Sequence, residues 1–387
     1  MGTIHKNYQW GAIYCHDVFT GAHAVYGDIY LKFQTVGWYG YPTSDETGAT
    51  DADGMTVRYN TLSNGGAIYW SAQDGAHLIY GDIYQKWLSF DGLHNPTYGI
   101  PVTDEASADS VSRFNDFKYG GSIYWTATNG AHLIYGSIKT KWLATGGIHM
   151  MGHPITDEAT AGDNFSRFNN FDNGGAIYWT PTNGACLIYG DIYKEWMSIG
   201  GVDSVVGYCI TDETGSGTHG GRYNDFSNGM IYWHAGTSYV HVGPLPTSLD
   251  FNWNPIVFNN GAGVGGWADV TIYNNGNAHW GSHMHVSFAP YDVSIAYVLM
   301  DADGTSIGLS QHGTAGPNLG IFGSNDWDVD TTVNNAEIQE NWRAFVAMTE
   351  WRARADTSFA FLTLIEDLYN DIKAIYPYAA AAISILA

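Results

Sequence analysis

The chain has 387 residues, 45% of them hydrophobic, so it is longer than one ordinary domain and can bury more than one core. Its net charge of −23 opposes binding to nucleic acid and to anionic membrane surfaces, because like charges repel. The 48 glycines, 27 tyrosines and 15 tryptophans favour short strands, tight turns and exposed aromatic surfaces.

The N-terminal segment GTIHKNYQW is polar and lacks the apolar core of a secretory signal peptide. No apolar run is long enough to span a bilayer. The sequence therefore predicts a protein without a membrane span that is cytoplasmic or is released without a classical signal peptide. Action at the cell surface or outside the cell stays open.

The first 243 residues are largely one motif repeated five times. Its complete form is GGAIYWSAQDGAHLIYGDIYQKW, residues 65–87. The central isoleucine recurs every 54 or 55 residues, at Ile13, Ile68, Ile123, Ile177 and Ile231. A fixed period of this length indicates a tandem-repeat architecture.

Each repeat combines a short hairpin with a short helix. In the third copy, residues 122–125 and 132–135 have the composition of strands, and an Asn-Gly turn joins them. Residues 137–143 have apolar positions spaced for a helix that ends before Gly146. Such a unit cannot bury its own apolar face, so the units must pack on one another.

The ends of the array favour a closed ring. The hairpin occurs five times, whereas the Asp-Glu turn and the Arg-aromatic-Asn segment each occur four times. The array thus starts and stops within a unit, and its two terminal pieces could complete one module together. We predict a five-module, propeller-like ring over residues 1–243, with an open solenoid as the alternative.

The remaining chain predicts a second, mainly β domain. Residues 247–355 contain alternating segments separated by turns, as in a β-sandwich, and residues 342–354 alternate well enough for a strand. Residues 359–376 have the period of an amphipathic helix, and an apolar tail follows within residues 356–387. Because a monomer would have difficulty covering this helix and tail, we expect a homo-oligomer that associates through the C-terminal domain.

The repeated sequence resembles the LGFP repeat. The resemblance rests on Pro-x-Thr-Asp-Glu, Arg-Phe-Asn, Gly-Gly-x-Ile-Tyr-Trp, Gly-Ala-His, Gly-x-Ile and Lys-Trp at this period, across residues 1–243. It implies a protein that holds envelope polysaccharide or acts as a lectin. The chain departs from the family pattern at Cys186 and Tyr239, which stand at the His position, and at Cys209, which replaces a proline.

Four Asp-Glu pairs could supply the acid and base of a glycosidase. However, adjacent residues on one turn rarely face a substrate from opposite sides, and four of the seven arginines share one repeat position. We expect one carboxylate–guanidinium pair per repeat that fixes the turn to the next module, with ligand contact as the alternative. These candidates are Asp45, Asp104, Asp157, Asp212, Arg58, Arg113, Arg167 and Arg222.

Aromatic and imidazole side chains recur at two further repeat positions. The tryptophans share a strand face with the buried isoleucine, which favours core packing, yet 58 aromatic residues exceed what small cores need. An exposed ring gives a flat surface for a sugar, and a histidine after the hairpin turn could add a hydrogen bond. The candidates for ligand binding are Trp70, Trp125, Trp179, Trp233, His23, His77 and His132.

Two other patterns suggest metal ions but fit them poorly. His279, His283 and His285 resemble the His-x-His of cupins, although the glutamate expected after them is missing, and ordinary histidines are the favoured interpretation. Asp-x-Asp-Gly at residues 51–54 and 301–304 could start calcium loops, but neither continues to a bidentate glutamate. We expect hairpin turns there and no cofactor.

The sequence predicts a non-enzymatic, multivalent lectin that binds glycans through the repeat ring. It contains no Gly-x-Ser-x-Gly elbow, phosphate loop or Cys-x-x-Cys pair. A glycan-processing or cell-wall enzyme targeted by the repeats is one alternative. A toxin-like or structural protein acting through the C-terminal domain is another.

Overall fold

The computed structural model describes residues 4–16, 21–217, 219–258, 262–287, 290–316, 325–358, 361–379 and 383–386. The chain is mainly β, as predicted, and forms two compact units, Met1–Leu187 and Ile188–Ala387. The boundaries predicted near residues 243 and 355, and the closed ring, stay predictions.

The first unit consists of repeated small sheets, each followed by a helix. Module one contains β1 (Ile4–Tyr8), β2 (Gly11–Cys15), β3 (Ala22–Tyr26) and α1 (Gly27–Val36). Module two contains β4 (Thr47–Thr50), β5 (Thr56–Leu62), β6 (Gly66–Ser71), β7 (Gly75–Tyr80) and α2 (Gly81–Ser89). Module three contains β8 (Ala106–Ser107), β9 (Ser112–Asp116), β10 (Ser122–Thr126), β11 (Gly130–Ile134), α3 (Gly136–Ala144) and α4 (Ile148–Met151). Module four begins with β12 (Ala159–Thr160), β13 (Arg167–Phe171), β14 (Gly175–Thr180) and β15 (Gly184–Tyr189), and the unit boundary lies within β15.

The predicted hairpin and helix are both present in modules one, two and three. Gly75 has φ +82° in the turn between β6 and β7, and Gly81 has φ +56° where the chain passes from β7 into α2. Both values lie in the left-handed region, which glycine adopts without steric cost. The strand-to-helix corner is therefore specified by the repeated Tyr-Gly text.

A buried tryptophan attaches each of the helices α2 and α3 to the loop that follows it. Trp87 is fully buried on α2, and its indole N–H donates to the Gly99 carbonyl at 2.9 Å. Trp142 does the same to Gly152 at 3.1 Å. Because an indole buries a large apolar area while its N–H is satisfied, this contact holds the helix on the module core.

The second unit begins with the last repeat and continues into a β-sandwich. The repeat portion has α5 (Gly190–Ser198), β16 (Thr214–Ser216), β17 (Gly221–Phe226), β18 (Gly229–His234) and β19 (Thr237–Val242). The sandwich has β20 (Ser248–Val257), β21 (Val264–Tyr273), β22 (Asn277–Val286), β23 (Tyr291–Asp301), β24 (Ser306–Ala315), β25 (Asp326–Asn334), β26 (Thr349–Asp356) and β27 (Ile383–Leu386). Its helices are α6 (Ala336–Glu340), α7 (Trp342–Ala347) and α8 (Phe361–Ile375).

The two sheets of the sandwich enclose one apolar core. Their strand orders are β20-β21-β22-β25 and β26-β23-β24-β27. Alternate residues of facing strands, among them Val270, Trp280, Ile295 and Tyr297, pack between them. This arrangement agrees with the sandwich predicted from the alternating sequence pattern.

Three segments bear on expectations from the sequence, and one of them differs from the structure. Strands β1–β3 form one three-stranded sheet and strands β16–β19 form one four-stranded sheet, and completion of a shared module by the two ends of the array stays a prediction. Trp342–Ala347 is a helix rather than part of a strand, because one turn of helix places Trp342 and Phe345 in the sandwich core before β26 begins at Thr349. The apolar tail packs on the sandwich, one of the two places expected for it, because β27 pairs with β24 in parallel.

Helix α8 is covered by its own unit. Leu364, Ile365, Leu368 and Ile372 are buried against Val298 and neighbouring residues of β23. The apolar face that motivated the predicted oligomer is thus buried within the chain. Oligomerisation stays a prediction that has lost this support.

Candidate functional site

Two equivalent clefts lie where one module meets the next. The first cleft has a volume of about 300 Å³ and is lined by Tyr26, Gly27, Asp28, Ile29, Glu46, Arg58 and Trp70. The second cleft has a volume of about 380 Å³ and is lined by Tyr80, Gly81, Asp82, Ile83, Glu105, Arg113 and Trp125. Each residue of one list occupies the repeat position of its counterpart in the other, so the cleft is a property of the repeat.

The elements of two modules build each cleft together. In the second cleft, Tyr80 ends strand β7, and Asp82 lies in the first turn of α2. Arg113 on β9 and Trp125 on β10 belong to the next module and are direct cross-strand partners. In the first cleft Arg58 and Trp70 are paired in the same way. A strand end, a helix start and two neighbouring strands therefore converge on one opening.

The arginine is fixed by a buried glutamate and a tyrosine. Arg113 Nε donates to Glu105 Oε1, and Arg113 Nη2 donates to the Tyr80 hydroxyl at 3.1 Å. The Glu105 side chain is 5% exposed and the Arg113 side chain 37% exposed. Burial raises the pKa of Glu105 and the Arg113 guanidinium opposes that rise. The carboxylate is thus engaged inside the wall, while an edge of the guanidinium faces the solvent.

The expected carboxylate–guanidinium pair is present in each repeat that carries the motif, and its acid is the glutamate. The pairs are Arg58–Glu46, Arg113–Glu105, Arg167–Glu158 and Arg222–Glu213.

An aspartate orients the tryptophan in the two clefts. The indole N–H of Trp70 donates to Asp28 Oδ2 at 2.9 Å, and that of Trp125 donates to Asp82 Oδ2 at 2.8 Å. Both rings are half-buried, so one part of each indole stays accessible. A ring held in one orientation loses less conformational freedom when a ligand stacks on it.

The third and fourth copies keep the arginine but differ at the indole. Arg167 Nη2 donates to the Tyr135 hydroxyl at 3.0 Å, but Ser137 replaces the aspartate beside the position of Trp179. In the second unit, Arg222 Nη2 donates to the Tyr189 hydroxyl at 2.9 Å. There the indole nitrogen of Trp233 is buried without a hydrogen-bond partner. The copies are therefore unequal.

The three predicted histidines lie with Asp45, Asp104 and Asp157 at the junctions between modules, and none of these residues lines either cleft. Asp104 Oδ1 accepts from the Leu78 backbone N–H at 2.9 Å, and Asp104 Oδ2 accepts from Lys32 Nζ at 2.7 Å. His77 Nε2 is 2.8 Å from the Asp74 carbonyl, and its Nδ1 is 3.8 Å from Asp104 Oδ1.

This junction recurs at neighbouring modules. Asp157 accepts from Leu133 N–H and Lys86 Nζ, both at 2.9 Å, and His132 Nδ1 is 3.7 Å from its carboxylate. Asp45 accepts from Ala24 N–H at 2.9 Å, with His23 Nδ1 at 3.6 Å. Asp212 occupies the corresponding position before Glu213.

The charges at the junction stabilise the ionised aspartate. Burial alone would raise the pKa of Asp157, but the His132 imidazole, the Lys86 ammonium and the Leu133 N–H together lower it to about 2. The corresponding groups also hold the pKa of Asp104 below its usual value. These aspartates therefore connect modules, and ligand contact by them stays a prediction.

Sequence reasoning missed the tyrosine and the helix aspartate of the clefts. Both belong to the Tyr-Gly-Asp-Ile text at residues 26–29 and 80–83, so the signal was present as a repeat. Its role depends on Arg113 and Trp125, which lie 33 and 43 residues beyond their partners.

Two of the three histidines of β22, His283 and His285, lie opposite aspartates of β25, and His279 lies opposite Thr332. His283 Nδ1 is 2.7 Å from Asp328 Oδ1, and His285 Nδ1 is 2.6 Å from Asp326 Oδ1. His279 Nδ1 is 3.2 Å from the Thr332 hydroxyl. Over the residues that the structure describes, no group of three or more His, Cys, Asp or Glu side chains is placed to hold a metal ion.

A model of the LGFP repeat matches residues 40–92, 99–148, 151–204 and 206–244, which is more than half of the chain. The family expected from the motif is thereby confirmed. No curated protein matches the chain. In the described part of the chain, no helix has the length and apolar character needed to cross a membrane.

Several solved structures are similar to this chain at low identity. BamB from Moraxella catarrhalis is 9% identical with a TM-score of 0.11, over 72% of this chain and 69% of that one. BBS1N in complex with ARL6DN is 9% identical with a TM-score of 0.12, over 70% and 71%. The WD40 domain of SCAP from fission yeast is 9% identical with a TM-score of 0.11, over 84% and 68%. TM-scores this low carry no argument about the fold or the function.

Proposed function

Because this chain belongs to the LGFP-repeat family, we propose that it is a multivalent carbohydrate-binding protein whose repeated clefts hold glycans. The observation that carries the proposal is the recurrence of one cleft, with the same seven repeat positions, in consecutive modules. A catalytic centre needs to exist once, whereas a surface that binds a repeating polymer gains from equivalent sites.

The chemistry of the cleft suits a hydroxyl-rich ring. The half-buried indole of Trp125 offers an apolar face for the C–H groups of a sugar. The Arg113 guanidinium, the Tyr80 hydroxyl and the Asp82 carboxylate supply donors and acceptors around it. An apolar wall with a few directed polar groups is the usual composition of a small-molecule site.

A binding role fits the wall better than catalysis. Glu105 is bound by Arg113 and its side chain is 5% exposed, so its carboxylate is engaged in the fold. Asp82 is engaged by the Trp125 indole. Neither group is held ready to transfer a proton to a substrate. Non-enzymatic binding therefore remains our proposal, with glycan hydrolysis as an outcome of the test.

Multivalency would compensate for shallow individual sites. When several clefts engage one glycan surface, each further contact is intramolecular and the overall affinity rises by orders of magnitude. Unequal clefts would contribute unequally. The Trp70 and Trp125 clefts would contribute most, because in each of them an aspartate accepts a hydrogen bond from the indole.

The test combines a glycan array with calorimetry on the intact chain. Loss of one stacking ring costs about 1 kcal/mol, or roughly fivefold in affinity at a single cleft. Replacing Trp70 and Trp125 together by alanine should thus weaken binding to a glycan-coated surface far more than binding of a free oligosaccharide. The control is Trp267→Ala, which removes a partly exposed indole from the sandwich.

Unchanged binding by the double variant would refute the clefts as the site. Release of reducing sugar from a bound glycan would favour the enzyme instead. Light scattering on the same samples would test the predicted homo-oligomer.

A further inference from the structure

The sequence Asp-Ala-Asp-Gly forms two hairpin turns with the same backbone bonds, as expected of residues 51–54 and 301–304. In the first turn Asp51 Oδ1 accepts from the backbone N–H groups two and four residues later, at 3.0 and 2.9 Å. In the second, Asp301 Oδ1 accepts from the corresponding groups at 2.9 and 2.9 Å. The two turns can therefore be compared atom by atom.

A lysine balances the carboxylates of the first turn. Lys118 Nζ is 2.7 Å from Asp51 Oδ2 and 3.1 Å from Asp53 Oδ2. The Asp51 side chain is 1% exposed, whereas that of Asp53 is 55% exposed. The buried Asp51 carboxylate thus has the Lys118 ammonium as its partner. The Asp53 carboxylate contacts the same ammonium and is also exposed to solvent.

The second turn is more deeply buried and has no such partner among the described residues. Asp301 is 0% exposed and Asp303 is 2% exposed. Asp301 Oδ2 and both carboxylate oxygens of Asp303 are buried without a hydrogen bond of normal geometry. Carboxylates taken from water without a counter-charge are strongly destabilising.

Neutral oxygen atoms converge on the same corner. Tyr232 is 0% exposed, and its hydroxyl interacts with Ser216 and Asp303 without a hydrogen bond of normal geometry. A Cβ on Gly221 would lie 2.0 Å from that hydroxyl and 2.3 Å from Asp303 Oδ1, so the backbone of β17 closes directly over both groups. Asn341 Oδ1, likewise buried without a partner, faces Gly217 at the other end of the β16–β17 turn.

The nearest basic groups are two histidines with other partners. His219 Nδ1 is 3.2 Å from the Thr305 hydroxyl, and His234 Nε2 is 3.1 Å from the His219 carbonyl. Both imidazoles oppose the rise that burial causes in the pKa of Asp303, whereas burial and the neighbouring Asp303 carboxylate both raise the pKa of Asp301.

We propose that Asp301, Asp303 and Tyr232 form a Ca²⁺ site in the second unit. Ca²⁺ accepts only oxygen ligands, tolerates irregular geometry and takes carboxylates in one- or two-point contact. Its double charge would neutralise the two aspartates, as one ammonium balances Asp51. The site uses two carboxylates with neutral oxygens and water, which differs from a cluster of three or more acidic or imidazole ligands. It is independent of glycan binding.

The experiment uses the full chain after removal of metal ions with EDTA. Calorimetry with Ca²⁺ alone should show one bound ion, and Ca²⁺ should raise the melting temperature by several degrees, because a ligand that binds only the folded state stabilises it. Mg²⁺ is titrated in parallel and should bind more weakly, because it demands a regular octahedral site. Tb³⁺ emission sensitised by Tyr232 gives a second readout.

Asp303→Asn should weaken Ca²⁺ binding by roughly a hundredfold or abolish it. The matched control is Asp53→Asn, at the same position of the first turn, which should leave Ca²⁺ binding unchanged. If the Asp303 variant does not fold, Tyr232→Phe removes one hydroxyl and should weaken binding with the fold kept.

Absence of Ca²⁺ binding by the parent chain would overturn the proposal. Equal binding by the parent, the Asp303→Asn variant and the Tyr232→Phe variant would also overturn it. If Ca²⁺ does not change the melting temperature but the melting temperature falls as the pH rises, the two aspartates are held protonated instead. That result would also overturn the proposal.

Discussion

The contribution of the junction residue Asp157 to the free energy of unfolding can be calculated from its environment in the structure. Asp157 has its pKa lowered from 3.8 to about 2 by His132, Lys86 and the Leu133 N–H, against the effect of burial. This lowering of the pKa corresponds to about 2 kcal/mol, which screening at a carboxylate 31% exposed reduces to about 1–2 kcal/mol. We expect Asp157→Asn to lower the free energy of unfolding by this amount at pH 7.

The pH dependence of this stability contribution follows from the lowered pKa of Asp157. The contribution is fully present above the unfolded pKa of about 4 and is lost as the pH falls through about 2, because the folded state must then take up the proton. The difference between the parent and Asp157→Asn should therefore shrink over this window, as measured by urea unfolding at a series of pH values. Asp91→Asn, at an exposed acid of the same array, should change the free energy by less than about 0.5 kcal/mol throughout. A difference that persists unchanged at pH 2, or is absent at pH 7, would refute the reasoning.

Three further predictions concern other parts of the chain. Ser137→Asp should give Trp179 the acceptor that the better clefts have, and calorimetry with a glycan should then show stronger binding by about 1 kcal/mol at one additional site. Trp87→Phe removes the bond to Gly99 and leaves a cavity, so thermal unfolding should show a loss of about 2–3 kcal/mol. Ile365→Ala, on the buried face of α8, should cost about 2–4 kcal/mol in urea unfolding, and no change in stability would mean that the helix does not pack on its sheet.

The elements within one module could be predicted from the sequence because they depend on neighbours along the chain. An Asn-Gly turn and β-branched or aromatic strands specify the hairpin of residues 122–134, and the period of residues 137–143 specifies the helix. The resemblance to the LGFP repeat followed from the same local sequence motifs, and the family match confirms it.

The contacts between modules could not be predicted in detail because they join distant positions. Lys86 and Asp157 are 71 residues apart, and no local pattern selects one partner for a lysine at that separation. For the same reason the sequence indicated an arginine–carboxylate pair but could not choose between Asp104 and Glu105. The structure assigns Glu105 to Arg113 and leaves Asp104 to the junction.

In segment 342–354 the local sequence pattern alone could not predict the secondary structure. Its alternation fits a strand, but Trp342 and Phe345 reach the sandwich core from one turn of helix. Tertiary packing decided between two local structures that the pattern allows.

The junction also limits how such an array can change in length during evolution. Asp104 receives a lysine from the helix of module one and a backbone N–H from module two, and it lies on the loop that enters module three. Since Asp157 repeats this arrangement one module later, duplication of a whole repeat by unequal recombination would supply every group of a new junction. An array of only two modules would lack either the lysine or the aspartate of each junction. Three consecutive modules are therefore the shortest array in which a complete junction can form.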